Sequence, residues 1–220
     1  MTDIVRADGD LKFVAVCDDG VAVDPLLRAF GLAAALVFPR EFKPNCCLNG
    51  TRVFLEVMRS FGKKASALSV DCVVANRVML ALLEEHNGEI PEGQGQAWRD
   101  KGAHYIQIDT EETHGGGFAG HVIAECDGWL VDSSAKQFHR PLKSIFMPSV
   151  LAARKQPEFV EDRGAQSVLT EDGAVVQYWL RSNDERHLSV PGFQRSRNNL
   201  RVAGIIERLM RGPLHELSRV

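Results

Sequence analysis

The segment from Cys47 to Gly62 constrains the fold of this chain more than any other, because it predicts an amphipathic α-helix. At about 100° per residue, its large apolar side chains fall on one side and its charged side chains on the other. Gly62 is a natural residue for the end of this helix, since glycine accepts the left-handed conformation that often follows a last turn. The apolar side consists of Phe54, Leu55, Met58 and Phe61, and the charged side of Arg52, Glu56 and Arg59.

Two adjacent cysteines begin this helix. Cys47 lies on the axis of the apolar side and points into the fold, whereas Cys46 lies about 100° away, at its edge. Pro44 and Asn45 precede them, and we expect Asn45 to cap the free N–H groups of the first turn. The positive end of a helix dipole favours a thiolate, so Cys47 is the candidate nucleophile. Taken alone, Cys47 also fits a small residue of the core.

A β-hairpin is predicted around Asp127-Gly128. This dipeptide is a strong signal for a two-residue turn between strands. The turn would pair Cys126 with Trp129 and bring His121 and Asp132 to one face, roughly 5.5 to 8 Å apart at the backbone. A four-residue loop keeps this arrangement, whereas a three-residue loop would place His121 and Asp132 on opposite faces.

Cys47, His121 and Asp132 are together the components of a thiol nucleophile site. A histidine takes the thiol proton, and a carboxylate orients the imidazole. Taken singly, His121 fits a structural or solvated histidine and Asp132 a turn or capping residue. The combination predicts a Cys-His-Asp catalytic triad.

The composition predicts one α+β domain with its own core. The chain has 220 residues, of which 45% are hydrophobic, and this is enough for one core. We place the domain at residues 1–190 and a helical extension, packed on it or on a partner, at residues 191–220. A formal net charge of -3 argues against nucleic-acid binding as a general property. The extension's arginines fit a solvated helix face or an anionic partner; they are Arg195, Arg197, Arg201, Arg208 and Arg211.

The sequence predicts a cytoplasmic protein that does not span a membrane. Residues 1–8 contain no basic segment followed by an apolar one, and no window reaches the ~18 apolar residues of a membrane span. The five cysteines have no spacing typical of a disulfide framework and fit free thiols in a reducing compartment. No pair among the cysteines and the histidines, which include His114, has the Cys-x-x-Cys or His-x-x-x-His spacing of a metal site. We therefore predict no metal and no cofactor.

Helices and strands are predicted along the rest of the chain. Residues 89–101 are expected to form a surface loop with Trp98 as its aromatic anchor. Gly115-Gly116-Gly117 indicates a long turn or a substrate gate. Pro39 and Pro44 are expected to bound an extended segment. The predicted helices are 24–37, 76–85 and 197–211, the last with Leu200, Ala203, Ile206 and Met210 on one side, and the predicted strands are 11–17, 65–74, 103–109, 144–151 and 174–180, with a further one near Val168.

Residues 44–138 resemble the transglutaminase-like superfamily, whose members share a papain-like α+β core. In that family a nucleophilic cysteine begins a helix that ends in an Arg-x-x-Gly pattern, as do Cys47 and Arg59-Ser60-Phe61-Gly62. The following strand of the family resembles Lys64 to Val70. Gly120-His121-Val122-Ile123-Ala124-Glu125 and Trp129-Leu130-Val131-Asp132 resemble the family's histidine and aspartate strands.

This resemblance implies a cysteine-bearing helix packed on an antiparallel sheet, with a C-terminal helix added. It implies Cys47 as nucleophile, His121 as general base and acid, and Asp132 as the orienting carboxylate. The Cys47 N–H would bind the oxyanion together with a second donor, either Asn45 or Trp98. We also expect Gln137, and beside it Lys136, as candidates for lining the pocket; both also fit ordinary surface positions.

The implied activity is acyl-enzyme chemistry on a peptide, protein or small amide, by hydrolysis or by transfer to an amine. The chain departs from many family members at Ser133-Ser134, where proline and a small hydroxyl residue are common. Phe42-Lys43-Pro44-Asn45 stands where the arylamine N-acetyltransferases carry Arg-Gly-Gly, which disfavours an acetyl-coenzyme A transferase.

Two functions of other kinds also fit the sequence. One is a catalytically silent module that binds proteins through the same fold. The other is a redox sensor that uses Cys46 and Cys47, although a disulfide between adjacent cysteines is strained. The sequence leaves the substrate, the acceptor and the oligomeric state open.

Overall fold

The computed structural model describes residues 2–6, 12–16, 22–43, 45–109, 118–160, 164–170 and 172–212, with side chains from Ala22 onward. It is an α+β fold. The helices are α1 (Pro25–Glu41), α2 (Cys47–Ser60), α3 (Arg77–Glu85), α4 (Gly95–Asp100) and α5 (Arg197–Arg211). The strands are β1 (Thr2–Arg6), β2 (Lys12–Val16), β3 (Ala65–Ala75), β4 (Tyr105–Ile108), β5 (His121–Cys126), β6 (Trp129–Asp132), β7 (Val150–Arg154), β8 (Ala165–Leu169) and β9 (Val175–Leu180).

The strands form one sheet in the order β1-β2-β7-β6-β5-β3-β9-β8, with β4 also paired to β3. Neighbouring strands are antiparallel apart from β2 and β7, which run parallel. The long strand β3 is central, because it pairs with β5 along its first half and with β9 and β4 along its second half. The start of β5, which bears His121, therefore lies near the middle of β3.

Helices α1, α2 and α5 cover one face of the sheet, and their buried side chains share one core with residues of β5, β6 and β7. The opposite face has a second core built from strands at distant positions in the sheet order, among them Ile123 of β5 and Val168 of β8. Residues 135–147 contribute Phe138 and Ile145 to this second core. The sheet thus curls around its own apolar residues on the side away from the helices.

The predicted helix after Cys47 and the predicted hairpin are both confirmed. Helix α2 ends at Ser60, and Gly62 follows with a φ of +73°. The N–H groups of Gly62 and Lys63 donate to the carbonyls of Arg59 and Met58, each at 3.0 Å, which completes the last turn.

The hairpin has the two-residue turn that its sequence indicates. Cys126 pairs with Trp129, and Asp127 and Gly128 have φ values of +50° and +77°. Such a pair of positive φ angles belongs to a turn whose twist matches that of the strands. The turn is therefore not the three-residue loop that would have placed His121 and Asp132 on opposite faces.

Other boundaries differ from the prediction. Helix α1 continues past Val37 to Glu41 with Pro39 inside it, so the extended segment is shorter than predicted. The predicted loop 89–101 contains α4, and the strand expected at 144–151 begins only at Val150. Strand β1 was not predicted. Gly115-Gly116-Gly117, Pro44, Cys17 and His114 lie outside the described residues.

Helix α5 occupies the predicted span, and its buried side chains join the core of α1 and α2. Ala203, Ile206 and Met210 are buried as expected, whereas Leu200 is 40% exposed, so its place on the apolar side was wrong. The part of the extension that the structure describes thus packs on the rest of the chain. In the described residues, no helix combines the length and apolar character that a membrane crossing requires.

Candidate active site

His121 and Asp132 form the centre of a buried polar cluster. The two side chains project from the neighbouring strands β5 and β6, and the His121 Nε2 lies 2.8 Å from an Asp132 carboxylate oxygen, Oδ2. Both residues are at most 2% exposed. A buried ionised group requires a partner, and here each residue supplies one to the other.

Asp132 accepts hydrogen bonds at both of its oxygens. The Tyr178 hydroxyl donates to Oδ2 at 2.9 Å, and the backbone N–H and hydroxyl of Ser134 donate to Oδ1 at 2.9 and 3.1 Å. The ring of Tyr178 also stacks with that of His121 at 6.3 Å between centroids. Because its lone pairs are engaged from several directions, the carboxylate is fixed in orientation and its ionised form is favoured.

Cys47 lies on α2, one of the helices that cover the helical face of the sheet. It is the first residue of α2 and is half-buried. One turn further on, the Thr51 hydroxyl donates a 3.0 Å hydrogen bond to the carbonyl of Val122, the residue after His121. The start of α2 is thereby attached to the start of β5, and Cys47 lies close enough to His121 to raise the pKa of the imidazole.

The charges within this cluster favour a protonated imidazole. Burial lowers the pKa of His121, but the charge and hydrogen bond of Asp132, together with those of Cys47, outweigh burial and raise it from 6.5 to about 10. Burial raises the pKa of Asp132, yet the charge and hydrogen bond of His121 hold it below its ordinary value. An imidazolium between two groups that can carry negative charge is the expected result.

The other described cysteines are poorly suited to act as nucleophiles. Burial and the neighbouring charge of Cys47 raise the pKa of Cys46 to about 12. Burial also raises the pKa of Cys126 to about 11 and that of Cys72 well above 9.0. Their thiols remain protonated near neutral pH, and a protonated thiol is a poor nucleophile. This favours Cys47 over Cys46, as the helical positions did.

Gln137 contacts the second ring nitrogen of His121. Its amide nitrogen lies 3.0 Å from Nδ1 and 3.3 Å from the Ser134 hydroxyl. An amide donor at Nδ1 suits a neutral imidazole, and rotation of the amide by 180° would present its oxygen to an imidazolium. Because Asp132 occupies Nε2, a proton exchange with Cys47 must use Nδ1, the nitrogen that Gln137 also contacts.

The two residues expected to assist the oxyanion lie in different surroundings. Asn45 is next to the cysteines but is exposed, with a φ of +67°. Cys46 is the residue that precedes the first turn of α2, and its side chain makes no capping hydrogen bond. The expectation that Asn45 caps this helix was therefore wrong, although Asn45 does line a cavity beside the site.

Trp98 is not part of this cluster. It is buried on α4 in a third core with Ala75, Met79 and Leu82, and its ring lies 5.3 Å from that of His86. Ala75 is the last residue of β3, whereas His121 pairs with Val70 of the same strand. At about 3.3 Å per residue, five residues of strand separate the two places. Trp98 is an anchor of the loop region, as predicted, but not a neighbour of Cys47.

Sequence reasoning missed Tyr178, Thr51 and Ser134 as supporting residues. Tyr178 is 46 positions from Asp132, and only its inward position on β9 could have indicated a role. In the described residues, no group of three or more His, Cys, Asp or Glu side chains could hold a metal ion. In comparisons with known proteins, no family model, curated protein or solved structure matches this chain.

Proposed function

We propose that this protein is a cysteine-dependent acyl-enzyme catalyst, an amide or peptide hydrolase or an acyl transferase, with a papain-like core of transglutaminase-like type. Cys47 is the nucleophile, His121 the general base and acid, and Asp132 the orienting carboxylate. The observation that carries the proposal is the buried pair of His121 and Asp132, 2.8 Å apart, with Cys47 at the start of α2 close enough to raise the pKa of His121. A thiol, a histidine and a carboxylate in this order activate the thiol and fix the tautomer of its base.

The reaction follows from these positions. His121 holds the proton of the Cys47 thiol as an imidazolium, and the sulfur attacks the acyl carbon of the substrate to form a tetrahedral intermediate. The imidazolium then gives its proton to the leaving amine, the carbon–nitrogen bond breaks, and a thioester remains on Cys47. Attack by water or by a second amine, deprotonated by His121, breaks the thioester and restores the thiol.

The first turn of α2 is the natural place for the oxyanion. Its N–H groups have no partner within the helix, as at every helix start, and the Cys46 side chain does not cap them. The backbone N–H of Cys47 is therefore a donor beside the attacked carbonyl. Preorganised donors of this kind stabilise the developing negative charge.

The first test measures the alkylation rate of each thiol by iodoacetamide between pH 5 and 9, with the modified peptides mapped by mass spectrometry. We expect Cys47 to react far faster than Cys46, Cys72 and Cys126, whose thiols serve as internal controls in the same molecule. Replacement His121→Gln should remove this advantage at neutral pH, because the activating base is lost.

A fold control accompanies the test. Cys46→Ser should leave the reactivity of Cys47 in place, and thermal unfolding of His121→Gln must show a folded protein at the assay temperature. If Cys47 in the wild type reacts no faster than the buried thiols, the proposed function is wrong and a silent binding module becomes the better interpretation.

A further inference from the structure

A cavity of about 430 Å³ adjoins the proposed catalytic residues. Cys46, next to the nucleophile, lines it, as does Gln137, whose amide contacts His121 Nδ1. Ser134, which holds Asp132, lines it too. A group bound in this cavity would therefore lie beside Cys47, and the volume is in the range of small-molecule sites.

One wall of the cavity is apolar. It is formed by the end of α1, where Phe38, Pro39 and Phe42 face the cavity, and the two phenylalanine rings lie 5.4 Å apart. A flat apolar group would gain contact with both rings when it leaves water. This wall selects an aromatic or branched aliphatic group.

The charge along the rim has one sign. Among the described residues that line the cavity, none is Asp or Glu. Three of them are basic: Lys43, Lys136 and Arg140. The exposed Arg140 donates through Nη1 to the carbonyls of Gln137 and His139, at 2.8 and 2.9 Å. These acceptors are neutral, so they hold the guanidinium in place without cancelling its charge.

Two buried hydroxyls complete the cavity. Ser133 and Ser149 are 2% and 6% exposed, both line it, and neither hydroxyl oxygen has a hydrogen-bond partner among the described residues. Most buried polar groups are paired, and an unpaired one calls for an explanation. A polar group on a bound molecule would provide the missing partner.

We infer that this cavity is a substrate subsite for an apolar, preferably aromatic, group that carries a carboxylate. The inference rests on the proposed function, because it places this group on the acyl compound that reacts with Cys47. The rings of α1 bind the apolar part, the basic rim binds the carboxylate, and the serine hydroxyls satisfy its remaining oxygen lone pairs.

The test compares two probes of nearly equal shape, one charged and one neutral. Binding of 3-phenylpropionate and of the neutral 3-phenylpropionamide is measured by titration of backbone amide chemical shifts, on the full chain. We expect shifts at Ser133 and Ser149, and a dissociation constant at least fivefold lower for the carboxylate. Arg140→Gln should reduce this ratio to about one to two, since a charge-assisted hydrogen bond is lost.

Two further variants make the result specific. Arg99→Gln removes a positive charge from α4 and should leave the ratio unchanged, whereas Lys43→Gln should lower it even if Arg140→Gln proves unstable. Equal affinity for the two probes, or shifts confined to other parts of the chain, would overturn the inference.

A second readout connects the cavity to Cys47. Saturating 3-phenylpropionate should slow the alkylation of Cys47 by iodoacetamide without changing that of denatured protein. If 3-phenylpropionate binds but Cys47 reacts no faster than the buried thiols, the proposed function is wrong, while the preference of the cavity for an anion is confirmed. If Cys47 is activated and no probe binds, the proposed function stands and the inference fails.

Discussion

The hydroxyl of Thr51 donates a 3.0 Å hydrogen bond to the carbonyl oxygen of Val122, and this bond joins the cysteine helix to the histidine strand. Thr51 is one helical turn from Cys47, and Val122 is adjacent to His121. Because both residues are buried, the bond is shielded from water. The distance between Cys47 and His121 is thus fixed by a hydrogen bond between two other residues.

Thr51→Val should uncouple these two elements while keeping the shape of the side chain. We expect a loss of about 1 to 2 kcal/mol in the free energy of unfolding, because a buried hydrogen bond is removed. We also expect a slower alkylation of Cys47 at neutral pH, since the approach of His121 becomes less well defined. Urea unfolding and the thiol assay measure the two effects.

A matched variant separates stability from positioning. Thr170 is also buried, and its hydroxyl accepts a hydrogen bond from the N–H of Ala174 in the turn between β8 and β9. Thr170→Val should cost a similar free energy but leave the Cys47 rate unchanged. Equal slowing in both variants would mean that Thr51 acts on stability alone.

The parts of the site that could be predicted depend on local patterns. The helical spacing after Cys47 and the Asp127-Gly128 turn each fix the direction of side chains over a few residues, and both predictions hold. Tyr178 could not be placed in this way, because its contact with Asp132 depends on the pairing of β9 with β3. Pairing between distant strands leaves no local signal in one sequence.

The misplaced residues have physical reasons of their own. Asn45 adopts the left-handed conformation, which asparagine tolerates better than most residues, so Cys46 precedes the helix instead. Trp98 was a reasonable candidate because it is a large aromatic residue in a polar segment. The short helix α4 instead directs the Trp98 side chain into a separate core.

Tyr178→Phe should destabilise the protein at neutral pH by about 1.5 to 3 kcal/mol, the usual cost of a lost hydrogen bond to a charged group. The pKa of Asp132 is held below 3.8 in the folded protein, so its contribution to stability is present above that pH. It is lost as the pH falls through the lower folded value. The difference between wild type and variant should therefore shrink in acid.

The chain provides its own control for this substitution. It contains two tyrosines, and the other, Tyr105, is 46% exposed on β4. Tyr105→Phe should change the free energy of unfolding by less than about 0.5 kcal/mol at any of these pH values. A Tyr178→Phe difference that stayed constant down to pH 2 would show that its hydroxyl does not act through Asp132.

The raised pKa of His121 predicts that stability falls in alkaline solution. The contribution of its charged form is fully present below the unfolded value of 6.5 and is lost as the pH rises toward about 10. One proton can change the free energy of unfolding by at most about 1.4 kcal/mol per pH unit. Urea unfolding from pH 6 to 10 should show this decline, and it should be less steep in His121→Gln.

Wild type and His121→Gln must be compared because the buried thiols, whose pKa values are raised, also lower the stability of the protein as the pH rises. His187→Gln is the control, since burial lowers the pKa of this second buried histidine and its titration therefore affects stability below about pH 6.5. It should leave the alkaline decline unchanged. An equally steep decline in wild type and His121→Gln would show that His121 does not carry a proton in this range.

Gly50 allows α2 to lie close to the end of β6, and its replacement should reveal how tightly the two are packed. A Cβ atom at this position would lie 2.7 Å from the Ser133 hydroxyl oxygen, but 3.5 Å from the Ser133 Cβ. Gly50→Ala should therefore be destabilising by roughly 1 to 3 kcal/mol, despite the better helix propensity of alanine.

The double variant Gly50→Ala, Ser133→Ala should recover this loss, because the clashing oxygen is absent and the remaining contact is of ordinary length. Ser133→Ala alone should be close to neutral, since its hydroxyl has no partner among the described residues. A double-mutant cycle of unfolding free energies measures the coupling, which we expect to exceed about 1 kcal/mol. Additive effects would show that α2 and β6 are further apart than this contact requires.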